Sequence, residues 1–328
     1  MSSPSRAVIF IAAAAVSLGA SWLLVLAIER IGKRLRLSEA LLGMVAALAA
    51  DAPEITTAVT ALLDHSRRVG AGVVLGSNAF NIATLLGLGA LTAGFISLHR
   101  RVVAMNGAVA VWAALACILA VTGALDSAAA LALAAAVVIP YIGLLAGVRP
   151  RLPARWSEWL ATAVGEEELE LEEAIHPASG SGRDLALAAA ALAVVVGASV
   201  TMEREATALG GHWGIAPIIV GGLVLAAVTS LPNAVAGVYL AARGRGAASL
   251  STALNSNLLN VIAGLLIPGA LLGIGSADAQ TLLITAAYAA LTVLALAAAW
   301  PRRGLGRGAG ALLAGGYLAF TIALIASV

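Results

Sequence analysis

The chain alternates long apolar stretches with short polar ones over its whole length. Stretches of about twenty mostly aliphatic residues recur, which is the length that a membrane-crossing helix needs. Ten spans are predicted, at residues 7–28, 36–63, 72–97, 102–121, 126–147, 184–202, 213–242, 248–270, 279–299 and 308–327. Glycine and alanine dominate these spans, as is typical of helices that pack closely within membranes. The pattern predicts an all-α polytopic membrane protein, a closed bundle of ten transmembrane helices.

Polar residues interrupt the second and seventh spans, where the sequence reads ADAPEITTAV at 50–59 and TSLPNAVAGV at 229–238. Asp51 and Glu54 are three residues apart on one helix face. One unpaired charge at the bilayer centre costs at least about 2.5–3.5 kcal/mol, and no lysine or arginine lies in a predicted helix core. We therefore expect a bound cation or a proton as the partner. The alternative is that one acid is solvated near an interface or that both stay protonated.

Proline occurs at the same place in both polar stretches. Pro53 lacks an N–H and its ring displaces the carbonyl one turn earlier, so the carbonyls of Ala49 or Ala50 lose their helical partners. Pro232 should free the carbonyls near Val228 and Thr229 in the same way. Freed carbonyls at membrane depth are tolerated only where they are satisfied or line a cavity. Two broken helices would present oxygen ligands, which hard cations prefer.

The distance from Pro53 to Pro232 defines a repeat, because an offset of 179 residues maps the first five spans onto the last five. The pattern S-N-x-x-N recurs at that offset, as SNAFN at 77–81 and SNLLN at 256–260. Five helices is an odd number, so the second copy enters the membrane in the opposite orientation. The predicted units are 1–147 and 184–328, two inverted five-helix repeats, joined by a linker at 148–183.

The S-N-x-x-N helices bring further polar side chains to membrane depth. Ser77 and Asn81 lie four residues apart on one face, and Ser256 and Asn260 repeat this arrangement. We expect Asn81 and Asn260 to be cation ligands. For Asn78 and Asn257 two roles stay open, a ligand role and hydrogen bonding between helices.

Charge is distributed unevenly among the predicted loops. If the chain starts outside, fifteen of the nineteen basic residues lie on the cytoplasmic side. They are Arg30, Lys33, Arg34, Arg36, Arg100, Arg101, Arg149, Arg151, Arg155, Arg183, Arg243, Arg245, Arg302, Arg303 and Arg307. The positive-inside rule then predicts both termini outside and the loop 148–183 in the cytoplasm. That loop carries the acidic run EEELELEE at 166–173, which favours a short amphipathic segment with a solvated acidic face over a regulatory cation site.

These motifs together resemble the sodium/calcium exchanger superfamily of cation/calcium antiporters. Its members carry two inverted alpha repeats, each typically G-T-S-x-P-E followed by G-S-N-x-x-N or G-S-N-x-x-D. The matching segments are about 49–89 and about 228–268. In that family, two glutamates and adjacent carbonyls bind calcium, and hydroxyls, amides and the same glutamates form flanking sodium sites.

The resemblance implies a metal site on matching positions of this chain. Glu54 matches the first ion-binding glutamate, and Ala50 and Thr229 match the carbonyl donors. The positions that match flanking ligands are Ser77, Asn81, Ser230, Ser256 and Asn260. Two positions depart from the pattern, because Asp51 replaces the usual serine and Asn233 replaces the second glutamate. The motif cores still hold two carboxylates, both now from one half.

The predicted function is a secondary active antiporter that exchanges Ca²⁺ or a related cation for Na⁺ or H⁺ by alternating access. Two adjacent acids repel in a cation-free pocket of low dielectric, which lets a proton compete with metal. The alternatives are a monovalent Na⁺/H⁺-type exchanger, favoured by Asn233, and a non-transporting membrane protein with a degenerate site. An enzyme is not expected, because G-x-S-x-G, H-E-x-x-H and Walker motifs are missing and the four histidines lie outside the polar centre.

The expected partners follow from this function. They are inorganic cations and the lipid bilayer, without nucleic acid, and the sequence leaves monomer and homo-oligomer equally open. No permanently bound cofactor is expected beyond the transported Ca²⁺, Na⁺ or H⁺. We expect an integral protein of the cell membrane, either a plasma membrane or a bacterial inner membrane.

Overall fold

The structure is a computed structural model that describes residues 3–148, 151–174, 181–275 and 277–328. Arg149 of the predicted basic loops lies outside these residues. Nearly all of the described chain is helical, and the helices pack around one main core of small and branched aliphatic side chains.

The first half contains three continuous long helices, one broken helix and one helix with a wider π-helical segment. Its elements are α1 (Ser3–Arg34), α2 (Glu39–Ala50), α3 (Ala52–Leu63), α4 (Arg67–Asn81), π1 (Ile82–Leu88), α5 (Gly89–Ala93), β1 (Phe95–Ser97), α6 (Arg100–Val121) and α7 (Ser127–Leu145). The linker forms a helix of its own, α8 (Ala154–Ala174).

The second half has the same order of spans, but its strand lies between its last two spans, and its broken span contains a π-helical segment of its own. Its elements are α9 (Gly182–Trp213), α10 (Pro217–Ile219), π2 (Val220–Leu225), α11 (Ala226–Thr229), α12 (Leu231–Ala242), α13 (Gly246–Leu259), π3 (Asn260–Leu266), α14 (Ile267–Leu272), α15 (Ala279–Arg302), β2 (Gly304–Gly306) and α16 (Arg307–Ala326). The two strands pair antiparallel, with Ile96 opposite Leu305, and connect the two halves.

Ten membrane spans emerge from these helices. Within the described ranges, eight helices are long and apolar enough to cross a membrane, and two bent pairs bring the number to ten. The bent pairs are α2 with α3, at 48°, and the segment Pro217–Thr229 with α12, at 50°. The predicted all-α fold with ten spans is therefore confirmed, and the spans that contain Pro53 and Pro232 are the broken ones.

The sixth span is longer than predicted. We expected it to end at residue 202, but α9 continues to Trp213, and the next span begins only at Pro217. Arg204, expected in a loop, therefore lies within a helix and donates to Asp64 Oδ2 over 2.9 Å. Arg6 of α1 pairs with Glu205 over 3.1 Å. These ion pairs satisfy the charges at the helix ends, so both long helices extend beyond their apolar segments.

Glycines allow one close helix contact beside the polar centre. A Cβ atom added to Gly76 of α4 would lie 2.1 Å from the carbonyl oxygen of Gly222 in π2. A side chain at Gly76 would therefore separate the two backbones. At the matching position the second half has Asn255, whose side-chain Oδ1 accepts a hydrogen bond from the Tyr141 hydroxyl.

The linker helix α8 packs against α2, α6 and α13. Our expectation of a solvated acidic face is wrong for Glu167, which is 1% exposed. Glu166 is partly exposed and pairs with Arg101 over 3.0 Å.

Candidate cation site

Both broken helices change direction at a polar residue followed closely by proline. Asp51 separates α2 from α3, and Ser230 separates α11 from α12. Pro53 and Pro232 lie in the first turn of the second segment, where a missing N–H costs no helical hydrogen bond. The breaks therefore follow directly from the sequence, at equivalent points of the two halves.

The carbonyls expected to be freed in the first half are reached by a serine of α1. Ser21 Oγ lies 3.4 Å from the carbonyl oxygen of Ala49 and 3.3 Å from that of Ala50. In the second half, the Thr229 hydroxyl donates to the carbonyl oxygen of Leu225 over 2.9 Å. A hydroxyl on α1 therefore reaches Ala50, one of the two predicted carbonyl donors.

The two carboxylates are completely buried and face donors from the other half of the protein. Asp51 Oδ1 accepts from Asn233 Nδ2 over 2.6 Å and from Ser256 Oγ over 2.7 Å. Glu54 Oε1 accepts from Ser230 Oγ over 2.7 Å. Neither acid forms an ion pair with a basic side chain in the described part of the chain. The protein itself supplies no positive charge to balance them.

Asn233 occupies the centre of this arrangement. Its Nδ2 also lies 3.5 Å from Glu54 Oε1 and 3.2 Å from Ser256 Oγ. The amide thus donates toward both carboxylates from the position at which the family pattern places a second glutamate.

Four asparagines form a symmetric set on the two S-N-x-x-N helices. Asn78 Nδ2 donates to the backbone carbonyl of Asn257 over 3.1 Å, and Asn257 Nδ2 donates to that of Asn78 over 3.0 Å. Asn81 Nδ2 donates to Asn257 Oδ1 over 3.1 Å, and Asn260 Nδ2 to Asn78 Oδ1 over 3.3 Å. Asn78 and Asn257 therefore use both ends of their amides to join the helices.

Several buried oxygens around this centre have no hydrogen-bond partner. They are Asp51 Oδ2, Glu54 Oε2, Thr57 Oγ1, Asn81 Oδ1 and Asn260 Oδ1. A buried acceptor without a donor is costly, whereas carboxylate, amide and hydroxyl oxygens are the ligands that hard cations prefer. These oxygens therefore fit a cation as their partner. Asn81 and Asn260 have amide oxygens available for a cation, whereas the amide oxygens of Asn78 and Asn257 accept hydrogen bonds.

The two serines of the S-N-x-x-N motifs differ in their contacts. Ser256 Oγ donates to the Asp51 carboxylate, whereas Ser77 Oγ donates to the backbone carbonyl of Ala226 over 3.4 Å. Asn81 Nδ2 also reaches Ser256 Oγ, over 3.0 Å. The structure thus places the predicted site residues of both halves around one centre, but it gives Ser77 a backbone partner.

Thr57 is a site candidate that the sequence analysis did not include. It is fully buried on α3, one turn after Glu54, and its hydroxyl has no partner. The spacing of three residues from Glu54 was the available signal, because residues three apart share a helix face.

A cavity of about 360 Å³ leads to this centre between α1, α2 and α12. Ala50 and Asn233 line its inner part, and Glu29 and Tyr239 lie further along α1 and α12, toward the side predicted to be cytoplasmic. The buried centre is thus adjacent to open space on one side of the bundle.

Comparisons with known proteins agree with this geometry. A family model for sodium/calcium exchanger proteins matches residues 5–148 and 184–326. The chain belongs to the sodium/calcium exchanger family and is an integral membrane protein. Both matched ranges correspond to one repeat each, so the resemblance inferred from the motifs is confirmed.

Solved structures of this superfamily share the fold. The sodium-calcium exchanger NCX_Mj has 20% identity and a TM-score of 0.64, with 100% of both chains covered. The H⁺/Ca²⁺ exchanger CAX has 13% identity and a TM-score of 0.73, covering 98% of this chain and 85% of the other. The structure of native YfkE has 16% identity and a TM-score of 0.66, covering 97% and 91%. The comparison with curated protein sequences gives no match.

Proposed function

We propose that this protein is a secondary active antiporter that moves Ca²⁺, or a divalent cation of similar chemistry, in exchange for Na⁺ or H⁺. The observation that carries the proposal is the pair Asp51 and Glu54, both 0% exposed, each with one oxygen lacking any partner. Two buried carboxylates without a basic residue require either a bound cation or protons. A divalent cation would neutralise both acids at once.

The ligands for such a cation would come from both halves. Asp51 and Glu54 would supply the charge, and the amide oxygens of Asn81 and Asn260 would supply neutral ligands from the crossing helices. Asn233 would have to turn its amide oxygen inward, because its Nδ2 now points at Asp51. After this rotation a cation would take the place of the N–H donor beside the carboxylate. Protons and metal ions would then compete for the same carboxylates.

Alternating access is supported by the packing of the two long helices. α1 and α9 contact each other along their length and lie against the broken helices. Ser17 of α1 and Ser199 of α9 hydrogen-bond over 2.8 Å, and Ser21 reaches the Ala50 carbonyl. We propose that these two helices slide past the site as a unit, so that Ser21 leaves Ala50 when the cavity beside Asn233 closes. An enzymatic activity forms no part of the proposal.

The test is ion flux in proteoliposomes containing the purified protein. Ca²⁺, Mg²⁺, Mn²⁺, Na⁺ and K⁺ are each offered under an imposed Na⁺ gradient, and separately under an imposed pH gradient. Calcium uptake driven by either gradient is the expected result, and the effective gradient identifies the coupling ion. Absence of flux of Ca²⁺, Mg²⁺ and Mn²⁺ alike under both gradients would contradict the proposal.

A second candidate function is monovalent Na⁺/H⁺ exchange in the same pocket. Asn233 favours it, because the second half contributes no carboxylate and the pocket is less symmetric than a divalent site with one acid from each side. This alternative predicts sodium-driven proton flux that is independent of calcium, in the same vesicles.

A further inference from the structure

The linker helix α8 inserts an acidic side chain into the bundle, although α8 is not one of the ten spans. Glu167 is 1% exposed and lies next to Ala163 and Val164, which pack into an apolar cluster with Leu258 of α13. An acidic residue of a charged linker is rarely buried unless it has partners. Its contacts therefore need an explanation beyond solubility.

Glu167 begins a chain of hydrogen-bonding side chains that reaches Asn255, the residue before Ser256 of the candidate cation site. Asn106 Nδ2 of α6 donates to Glu167 Oε2 over 3.0 Å. The Tyr141 hydroxyl lies 2.5 Å from Asn106 Oδ1 and 3.0 Å from Asn255 Oδ1. Asn255 directly precedes Ser256, which donates to Asp51. Each of these side chains is buried.

A second acid of α8 holds the start of the same helix. Glu170 Oε2 accepts from the backbone N–H groups of Ala247 and Ala248, over 2.7 and 3.2 Å. These N–H groups belong to the first turn of α13, where they have no helical partner and favour a negative charge. α8 thus contacts α13 at its first turn and, through Tyr141, at the turn that carries Ser256.

We propose that Glu167 is a positioning residue for the cation site: by docking α8 onto the bundle, it holds α13 so that Ser256 meets Asp51. This inference rests on the proposed cation transport for its effect on affinity. It adds a role for the acidic linker, which the transport site itself does not use.

Docking should depend on pH, because the Glu167 carboxyl has a different pKa when it is buried against the bundle than when it is in water. Burial raises the pKa of the Glu167 carboxyl from 4.5 to about 7. Hydrogen bonds from Asn106 and Ser251 lower this pKa, and the charges of Glu168 and Glu170 raise it. The docked state thus binds the proton more tightly. Docking is favoured at low pH and weakens as pH rises through about 7, by about tenfold between pH 6 and 8.

Other ionisable groups near α8 lie on the elements that pack against it. They are Glu39 of α2, paired with Lys33, His99 and Arg101 beside Glu166, Tyr141 of α7, and Arg245 beside the first turn of α13. His99 also lies 3.7 Å from Glu170 Oε1, so the comparison with Glu167→Gln, and not the pH change alone, isolates the contribution of Glu167.

The experiment compares the wild type with Glu167→Gln, which keeps the shape but cannot ionise, and with the control Glu158→Gln. Glu158 is exposed on the same helix. Backbone hydrogen exchange of α8 and of residues 246–257 is measured on the full-length protein in nanodiscs at pH 6 and pH 8, corrected for intrinsic exchange. In the same variants, the KM and kcat for Ca²⁺ are measured in proteoliposomes with equal pH on both sides.

We expect wild-type and Glu158→Gln protection of both segments to fall about tenfold from pH 6 to pH 8. Glu167→Gln should stay protected at pH 8 and show a lower KM for Ca²⁺ there than the wild type, with unchanged kcat. The same loss of protection in Glu167→Gln as in the wild type would overturn the inference. The expected exchange pattern without any calcium flux would support the positioning role and refute the proposed function instead.

Discussion

The two broken helices have nearly the same backbone and different chemistry. They bend by 48° and 50°, and both place a proline in the turn after the break. The first contributes Asp51 and Glu54, whereas the second contributes Ser230 and Asn233. Every side-chain donor to the two carboxylates, Ser230, Asn233 and Ser256, comes from the second half. One half supplies charge and the other supplies the hydrogen bonds that orient it.

This difference shows that backbone symmetry and charge symmetry are separable in an inverted repeat. The reciprocal bonds of Asn78 and Asn257 keep the two S-N-x-x-N helices related, and π1 and π3 start at equivalent places just after or at Asn81 and Asn260. The negative charge, however, lies entirely on the first broken helix. A cation would be attracted toward one side of the pseudo-two-fold axis.

The division of roles is tested most directly by substituting the polar residues of each broken helix in turn. Asp51→Asn and Glu54→Gln should each lower cation flux in proteoliposomes more than about 100-fold, because each removes one of the two negative charges that would balance the cation, and a loss of about 3 kcal/mol of binding free energy corresponds to about 100-fold. Ser230→Ala should lower the flux only about tenfold, because it removes one hydrogen bond to the Glu54 carboxylate and no charge. Asp64→Asn is the control, an exposed carboxylate at the end of the same helix as Glu54. Equal losses in both halves would refute the division of roles.

A second test moves one carboxylate from the first broken helix to the second. Asp51→Ser alone should be as inactive as Asp51→Asn. Asp51→Ser combined with Asn233→Glu should recover at least about tenfold of the flux, because Asn233 Nδ2 and Asp51 Oδ1 are only 2.6 Å apart and one carboxylate can replace the other in that space. If the double variant is as inactive as the single one, the position of the charge matters as well as its presence.

The smallest expected effect concerns the two motif serines. Ser256→Ala should raise the KM for Ca²⁺ about tenfold, because a hydrogen bond to a charged group contributes about 1.5–3 kcal/mol. Ser77→Ala should change it about twofold at most, since this hydroxyl contacts only a backbone carbonyl at 3.4 Å. Both variants are measured in the flux assay beside the wild type. A larger effect of Ser77→Ala would show that the first-half serine is a direct cation ligand.

Much of the fold could be predicted because its signals are local. Bilayer thickness fixes the length of a span, Pro53 and Pro232 mark the two breaks next to polar residues, and a constant offset of 179 residues links these prolines. The end of α9 was not predicted, because Arg204 and Glu205 look like loop residues until their partners Asp64 and Arg6 are known. The burial of Glu167 was missed for the same reason, since a run of acids resembles a solvated surface.

Composition and spacing along the chain were enough to predict the membrane class, the two inverted repeats and a set of candidate cation ligands. The tertiary structure was needed to show which half supplies the carboxylates and which supplies their hydrogen-bond donors. It paired the carboxylates of one half with donors of the other, assigned Asn78 and Asn257 to helix contacts, and left oxygens of Asn81 and Asn260 without partners. The physical reason is that hydrogen-bond satisfaction depends on groups about 180 residues apart in the chain, which no local pattern records.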